Sequence, residues 1–448
     1  MNHPNPTEDA STRRRYFLRW PRSIFGPPPG LLEINLVCWG LFIGFEAVPF
    51  LIPFWACYRA GGRLDYLLPC DFVYFYGIGR VAAEYPLTRL YDYALVLKIT
   101  NEVYTFKDLA WGPNPYPPFV GLFFSLFARL PFLAAYILWM AASLSLYLTG
   151  IAATLRGVFP KQPLKTSLVF CFALGFYPFF ICTLKNGQLS SFAFFSLGLA
   201  IYQERDSKPF AGGLALSILA YKPTLLLLLL PMLVLTRRLR LLGGFFTGAA
   251  GLLLMTTLFG GMDIWPAYAH SLAFFRRFIE SHGQSTLQLW EYVDFNSLSY
   301  SIPGGRATAT LAVLACVSVA TAATLAVTLW RSANSGRPAQ DLGWAATLTW
   351  ALVLNLYVPV WDSILAGIAL ILTFRALRDL GWNVAAKWLI VLAVLMFAVT
   401  WNLISKSNRH GSQLLTLLLF LFGVFQLRLL HQMSRRESFD KGVLITAE

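Results

Sequence analysis

The sequence predicts an all-α, polytopic integral membrane protein, and three observations carry the prediction. Of 448 residues 57% are hydrophobic and only 13% charged, which leaves too little polar surface for soluble domains. Apolar runs recur from residue 34 to residue 428, with no hydrophilic block between them long enough to fold alone. Lysine and arginine, which give a formal net charge of +14, fall mainly between those runs and form no basic stripe with interleaved aromatics. Their placement points to membrane orientation and anionic lipid, and away from nucleic acid as a partner. One membrane domain is expected over 34–428, between a basic cytoplasmic tail, 1–33, and a cytoplasmic C-terminal tail, 429–448.

A helix needs about 20 apolar residues to cross about 30 Å of hydrocarbon. The first crossing is 34–57; "STRRRYFLRWPRS" precedes it and no small-residue cleavage site follows, so it reads as an uncleaved anchor with a cytoplasmic N-terminus. The next are 131–155, 166–184, 189–203, 209–221, 224–236 and 241–260, then 307–330, 342–357, 362–375, 387–404 and 412–428, which makes twelve. Several are short enough to need a packed neighbour or a thinned bilayer. The count meets the positive-inside rule, because "RGVFPKQPLK", "QERDSK", "TRRLR", "RSANSGRPAQD", the segment Arg375 to Lys387 and the tail with "MSRRESFDK" all fall on the cytoplasmic side. "YPPFVGLFFSLFARL", 116–130, is too short to cross, and counting it would invert the basic loops; it is expected to be re-entrant. The large outer segments are then 58–130 and 261–306.

Six cysteines, at 38, 57, 70, 171, 182 and 316, form no C-x-x-C pair and lack the histidine spacing of a zinc site. They read as thiols, with Cys57 and Cys70 placed to meet in the outer compartment. No internal repeat stands out.

Groups that bind or move protons collect on the outer side: Arg59, Arg63, Asp71, Arg80 and Glu84 in the first loop, Lys185 in "KNGQLS", Lys222 in "AYKP", Arg276 and Arg277 in the second loop, and Asp362 at the head of the tenth helix. Ionisable groups at membrane depth are costly and usually face a cavity or a partner. Asp71, two residues after Pro69, also reads as the cap of a helix beginning "FVYFYGIGR", and Asp92 as the cap of 93–104. Tyr74 and Phe75 share a helical face with Asp71 and either wall a pocket or pack against the first crossing. "KNGQLS" reads as a tight turn in which Asn186, Gln188 and Lys185 are placed to meet a polar, anionic ligand. Lys222, a lone ammonium between two apolar helices, calls for an anion or for snorkelling to the surface. Arg276 and Arg277 suit lipid headgroups as well as substrate.

"DFVYFYGIGR", "LYD" at 90–92, "YPPF" at 116–119, "NGQLS" at 186–190 and "AGGLALSILAYKP" at 211–223 resemble, in order and spacing, glycosyltransferase family 87, over roughly residues 30–375. The resemblance implies the C-type glycosyltransferase fold and kinship with polyprenyl-phosphate-mannose-dependent α-mannosyltransferases. It implies a lipid-linked sugar phosphate as donor, a lipid or cell-envelope glycan as acceptor, and an active site on the extracytoplasmic face of a bacterial inner membrane. The family's catalytic carboxylate sits in the first outer loop, where Asp71 matches it. There it would take the proton of an acceptor hydroxyl as that oxygen attacks the anomeric carbon with inversion. Asp65 is the rival carboxylate. Arg80, Lys185, Lys222 and Arg276 would answer the phosphate charge with no metal cofactor, and Tyr116 would contact ligand. "LYVPVWD", 356–362, keeps Pro359 and Asp362 but has Val360 and Trp361 where the family often has a histidine; His270 and His282 are the substitutes to consider. A pentosyl, arabinofuranosyl donor suits the same fold and base. A transporter or flippase of lipid-linked sugars also suits twelve crossings, although its usual inverted repeats and polar mid-membrane helices are not seen.

Overall fold

A computed structural model describes residues 40, 44, 48–59, 71–103, 112–160, 176–282, 292–301, 307–406 and 413–445. Asp65, Arg63, Cys70 and the side chains of Cys57 and His282 lie outside what is described, so the rival base and the cysteine pairing do too. Among the described residues the elements are helical, and the one β pairing is an isolated antiparallel bridge between Tyr292 and Pro359.

α1 (Val48–Arg59) is the described part of the first expected crossing. α2 (Phe72–Glu84), α3 (Tyr93–Val103) and α4 (Pro118–Ser125) belong to the first outer segment. The aromatic start of α2 buries against the rest: Phe72 lies within 6.2 Å, ring to ring, of Phe124, Phe132 and Tyr136. α4 continues as a 3₁₀ turn, Phe127–Arg129, and the pair reaches only about 18 Å, too short to cross.

Next come α5 (Phe132–Val158), a π-helical turn at Pro178–Lys185, α6 (Ser190–Arg205), α7 (Pro209–Leu216), α8 (Leu226–Leu235) and α9 (Leu239–Gly260). They are followed by α10 (Ile264–His282), α11 (Phe295–Ser301), α12 (Thr308–Arg331), α13 (Arg337–Val353), α14 (Leu365–Asp379), α15 (Asn383–Lys406) and α16 (Leu414–Ile445). Five helical stretches among the described residues are long and apolar enough to cross a membrane: α5, α9, α12, the stretch Val360–Asp379 and Leu414–Met433.

Three elements differ from the expected crossings. The expected 209–221 and 224–236 do divide at Lys222, but each is shorter as an α-helix, α7 giving way to a 3₁₀ turn at Ser217–Tyr221 and α8 following one at Pro223–Leu225. Pro223 lacks an N–H and pushes Lys222 out of the helical region, to φ −134° and ψ 78°. The expected helix 342–357 starts at Arg337 but stops at Val353, and an irregular strap leads from there to a 3₁₀ turn, Val360–Ile364. The last helix runs past residue 428 to Ile445.

α6 is central to the bundle. It crosses α5 so closely that a methyl group on Gly198 would lie 2.5 Å from the Gly150 carbonyl oxygen. Its two ends, about 22 Å apart, carry different polar groups. At the C-terminal end Arg205 pairs with Asp341, Glu204 pairs with Arg238 at 2.7 Å, and Trp344 Nε1 donates to Glu204 at 2.9 Å. At the N-terminal end Ser190 joins the site.

Candidate active site

The turn after the π helix ties three elements together. Phe72 N–H, the first of α2, donates to the Asn186 carbonyl at 2.9 Å, and Trp139 Nε1 of α5 donates to the Gly187 carbonyl at 2.9 Å. Tyr136 Oη donates to the Lys185 carbonyl. Gly187 has φ +83°, and a methyl group there would lie 2.6 Å from Phe72 Cβ, so the turn requires glycine. The docked turn presents Gln188, whose Nε2 donates to Asp71 Oδ2 at 2.6 Å.

Asp71 stands at the N-cap of α2 but makes no side-chain capping bond, so its carboxylate is left to Gln188 and the site. Burial raises this carboxyl to about 6, and the Gln188 hydrogen bond opposes that rise. Asp92 does cap as expected, accepting from Leu95 N–H at 3.1 Å.

The second carboxylate, Asp362, lies in the Val360–Ile364 turn and is 1% exposed. Ser190 Oγ donates to its Oδ1 at 2.7 Å, and Lys222 Nζ pairs with its Oδ2. Lys222 is therefore not the lone ammonium the sequence offers: the protein supplies a counter-ion from 140 residues away. An ammonium has three N–H donors, and one partner leaves capacity for another anion.

Tyr116 joins the two carboxylates. Its hydroxyl is held well above the usual tyrosine range, first by burial and then by the negative fields of Asp71 and Asp362. The "PNPYPP" loop that carries it is held from two sides: Tyr91 Oη donates to the Tyr116 carbonyl at 3.0 Å, and Ser271 Oγ of α10 to the Asn114 carbonyl at 2.7 Å. Phe75 forms the floor, 1% exposed, with its ring 5.2 Å from both Tyr116 and Phe124.

An apolar cavity of about 520 Å³ adjoins this cluster. Phe119, Phe123, Phe192, Leu252, Met255 and Phe259 line it, together with Arg129 and with Tyr221, next to Lys222. Tyr221 precedes Lys222, which pairs with Asp362, so the cavity wall leads to that carboxylate.

Asp71, Gln188, Tyr74, Tyr116, Lys222 and Asp362 thus come together, and Asn186 and Lys185 contribute backbone carbonyls to the turn beneath. Arg80 does not join them. It lies about 13 Å along α2 from Asp71 and is bound to Glu84 at 2.8 Å and Glu102 at 3.6 Å. Arg276 and Arg277 lie exposed on α10, as does His270. Sequence reasoning missed Ser190, Tyr221, Tyr91 and Asn114; the first three lie inside motifs it singled out, "NGQLS", "AYKP" and "LYD".

No curated protein and no solved structure matches the chain. The family model for glycosyltransferase family 87 matches residues 114–359. That range takes in Tyr116, the 185–190 turn and Lys222; Asp362 lies just beyond it and Asp71 well before it. It spans more than half of the 448 residues, and the protein, a membrane glycosyltransferase, belongs to glycosyltransferase family 87.

Proposed function

We propose that the enzyme transfers a hexose, mannose by family resemblance, from a polyprenyl-phosphate donor to a lipid or cell-envelope glycan, with inversion. The reading includes the C-type fold with about twelve crossings and an active site facing the extracytoplasmic side of a bacterial inner membrane. One observation carries it: a proton acceptor, Asp71, an ammonium with unused donors, Lys222, and an apolar cavity of prenyl-compatible volume adjoin through Tyr116 and Tyr221.

In this reading the prenyl chain lies along Phe119, Phe123, Phe192 and Met255, which puts its phosphate at Tyr221 and Lys222. The acceptor hydroxyl attacks the anomeric carbon, the bond from that carbon to the phosphate oxygen breaks, and the acceptor proton passes to Asp71. Charge that grows on the departing phosphate is met by Lys222, a fixed ammonium in a partly desolvated position. Gln188 fixes the carboxylate, and Tyr74 and Tyr116 offer aromatic faces and hydroxyls to the sugar.

The test is transfer by purified protein given radiolabelled polyprenyl-phosphate mannose and an envelope lipid extract, beside Asp71→Asn. Label should enter a new product with the wild type, and fall by about 10²–10⁴-fold in the variant. A folded Asp71→Asn with wild-type transfer would remove the base assignment. Movement of intact donor across liposomes would favour a flippase, and turnover only with pentosyl donors would change the sugar.

A further inference from the structure

Asp294 belongs to no motif above, yet its carboxylate is fully buried. Part of its role is ordinary. It caps α11, with Oδ1 accepting from Ser297 N–H at 2.8 Å and from Ser297 Oγ at 3.0 Å. A cap needs one oxygen and no charge, and a buried charge is costly. The other oxygen explains the choice: Oδ2 accepts from Ser297 Oγ at 2.9 Å and from Val358 N–H, 64 residues away, at 2.8 Å.

Val358 lies in the strap between α13 and the turn that holds Asp362. Val293 N–H donates to the Val358 carbonyl at 2.8 Å, and Tyr292 bridges Pro359, so Asp294 closes a short ladder between the second outer segment and the strap. At the strap's other end Asn355 Nδ2 donates to the Thr224 carbonyl at 2.9 Å, two residues past Lys222. Between these anchors Tyr357 sits at φ +56°, in the left-handed region that a bulky side chain adopts only when its surroundings over-determine it. Beyond Pro359 the strap delivers Asp362 to Ser190 and Lys222.

We infer that Asp294 is a positioning residue: by binding the strap at Val358 it fixes Asp362, and through Asp362 the Lys222 ammonium. Its consequence for the donor rests on the reading of Lys222 as phosphate ligand.

Asp294→Ser tests this, because serine keeps the helix cap but is too short to reach Val358. Reductive methylation of the full-length protein, read by peptide mass spectrometry, reports how well Lys222 is held without any donor. Lys222 labelling should rise several-fold in Asp294→Ser, as in Asp362→Asn, with Lys185 unchanged. The double variant should not exceed Asp362→Asn alone, since both act through one contact. With polyprenyl-phosphate mannose, kcat/KM should fall about tenfold, because a loosened Lys222 meets less of the charge that grows on the departing phosphate. Wild-type Lys222 labelling in folded Asp294→Ser overturns the proposal. Raised labelling with unchanged kcat/KM keeps the latch and overturns the phosphate reading of Lys222. Should the serine variant fail to fold, Asp294→Asn, with one acceptor oxygen for two duties, is read by the same criteria.

Discussion

Burial holds the Asp71 carboxyl near pH 6, so protonation of the proposed base falls just below neutrality. The native carboxyl keeps its proton up to about 6 and the unfolded one releases it near 3.8, so folding is penalised as pH rises through that window. The penalty is complete above 6. Asp71→Asn should therefore raise stability by about 1–3 kcal/mol at pH 7, measured by chemical unfolding, even as transfer falls about 10²–10⁴-fold. The transfer rate should fall as pH drops through about 6. Asp294 is also raised to about 6 by burial, so the limb needs an assignment. Gln188→Leu provides it: without the hydrogen bond that lowers Asp71, the limb should move to higher pH, and rate lost at pH 7 should return on the alkaline side. At this scale Asp71 and Gln188 were legible as residue types in recognisable motifs. Their contact, across 117 positions, was not.

Among the elements, the Asn-Gly turn has the greatest leverage, because it docks α2 on α5 and aims Gln188. Gly187→Ala forces a side chain into φ +83° and against Phe72, so it should cost about 1–3 kcal/mol and lower transfer by separating Gln188 from Asp71. Thermal unfolding and transfer kinetics on the same preparation check both. The turn was readable from composition, as was the shortness of the helix within 116–130, since each depends on local chemistry. The break at Lys222 was legible from Pro223, which divides 209–221 from 224–236; the 3₁₀ turns on either side of it were not. The helix ending at Val353 was overextended because the strap "NLYVPV" is as apolar as a helix, and its partners, Asp294, Val293 and Thr224, hold it irregular.

For the whole molecule, the cavity and the carboxylates are formed by helices distant in sequence. Met255→Trp, on α9 at the cavity wall, should raise KM about tenfold for a long-chain polyprenyl donor and leave a short-chain donor unchanged, read from chain-length-dependent kinetics. Equal effects on both chains would place the prenyl tail elsewhere. The sequence by itself determined the membrane class, the helical architecture and the family, because these follow from composition, hydropathy period and motif order, all local along the chain. It also offered Lys222 as a charge in need of an anion. Tertiary structure alone decided that Asp362 is that anion, that Arg80 is engaged by Glu84 and Glu102 away from the site, and that Asp294 reaches the strap. An ion pair or a buried hydrogen bond depends on which helices become neighbours, and one apolar helix face is much like another until packing chooses between them.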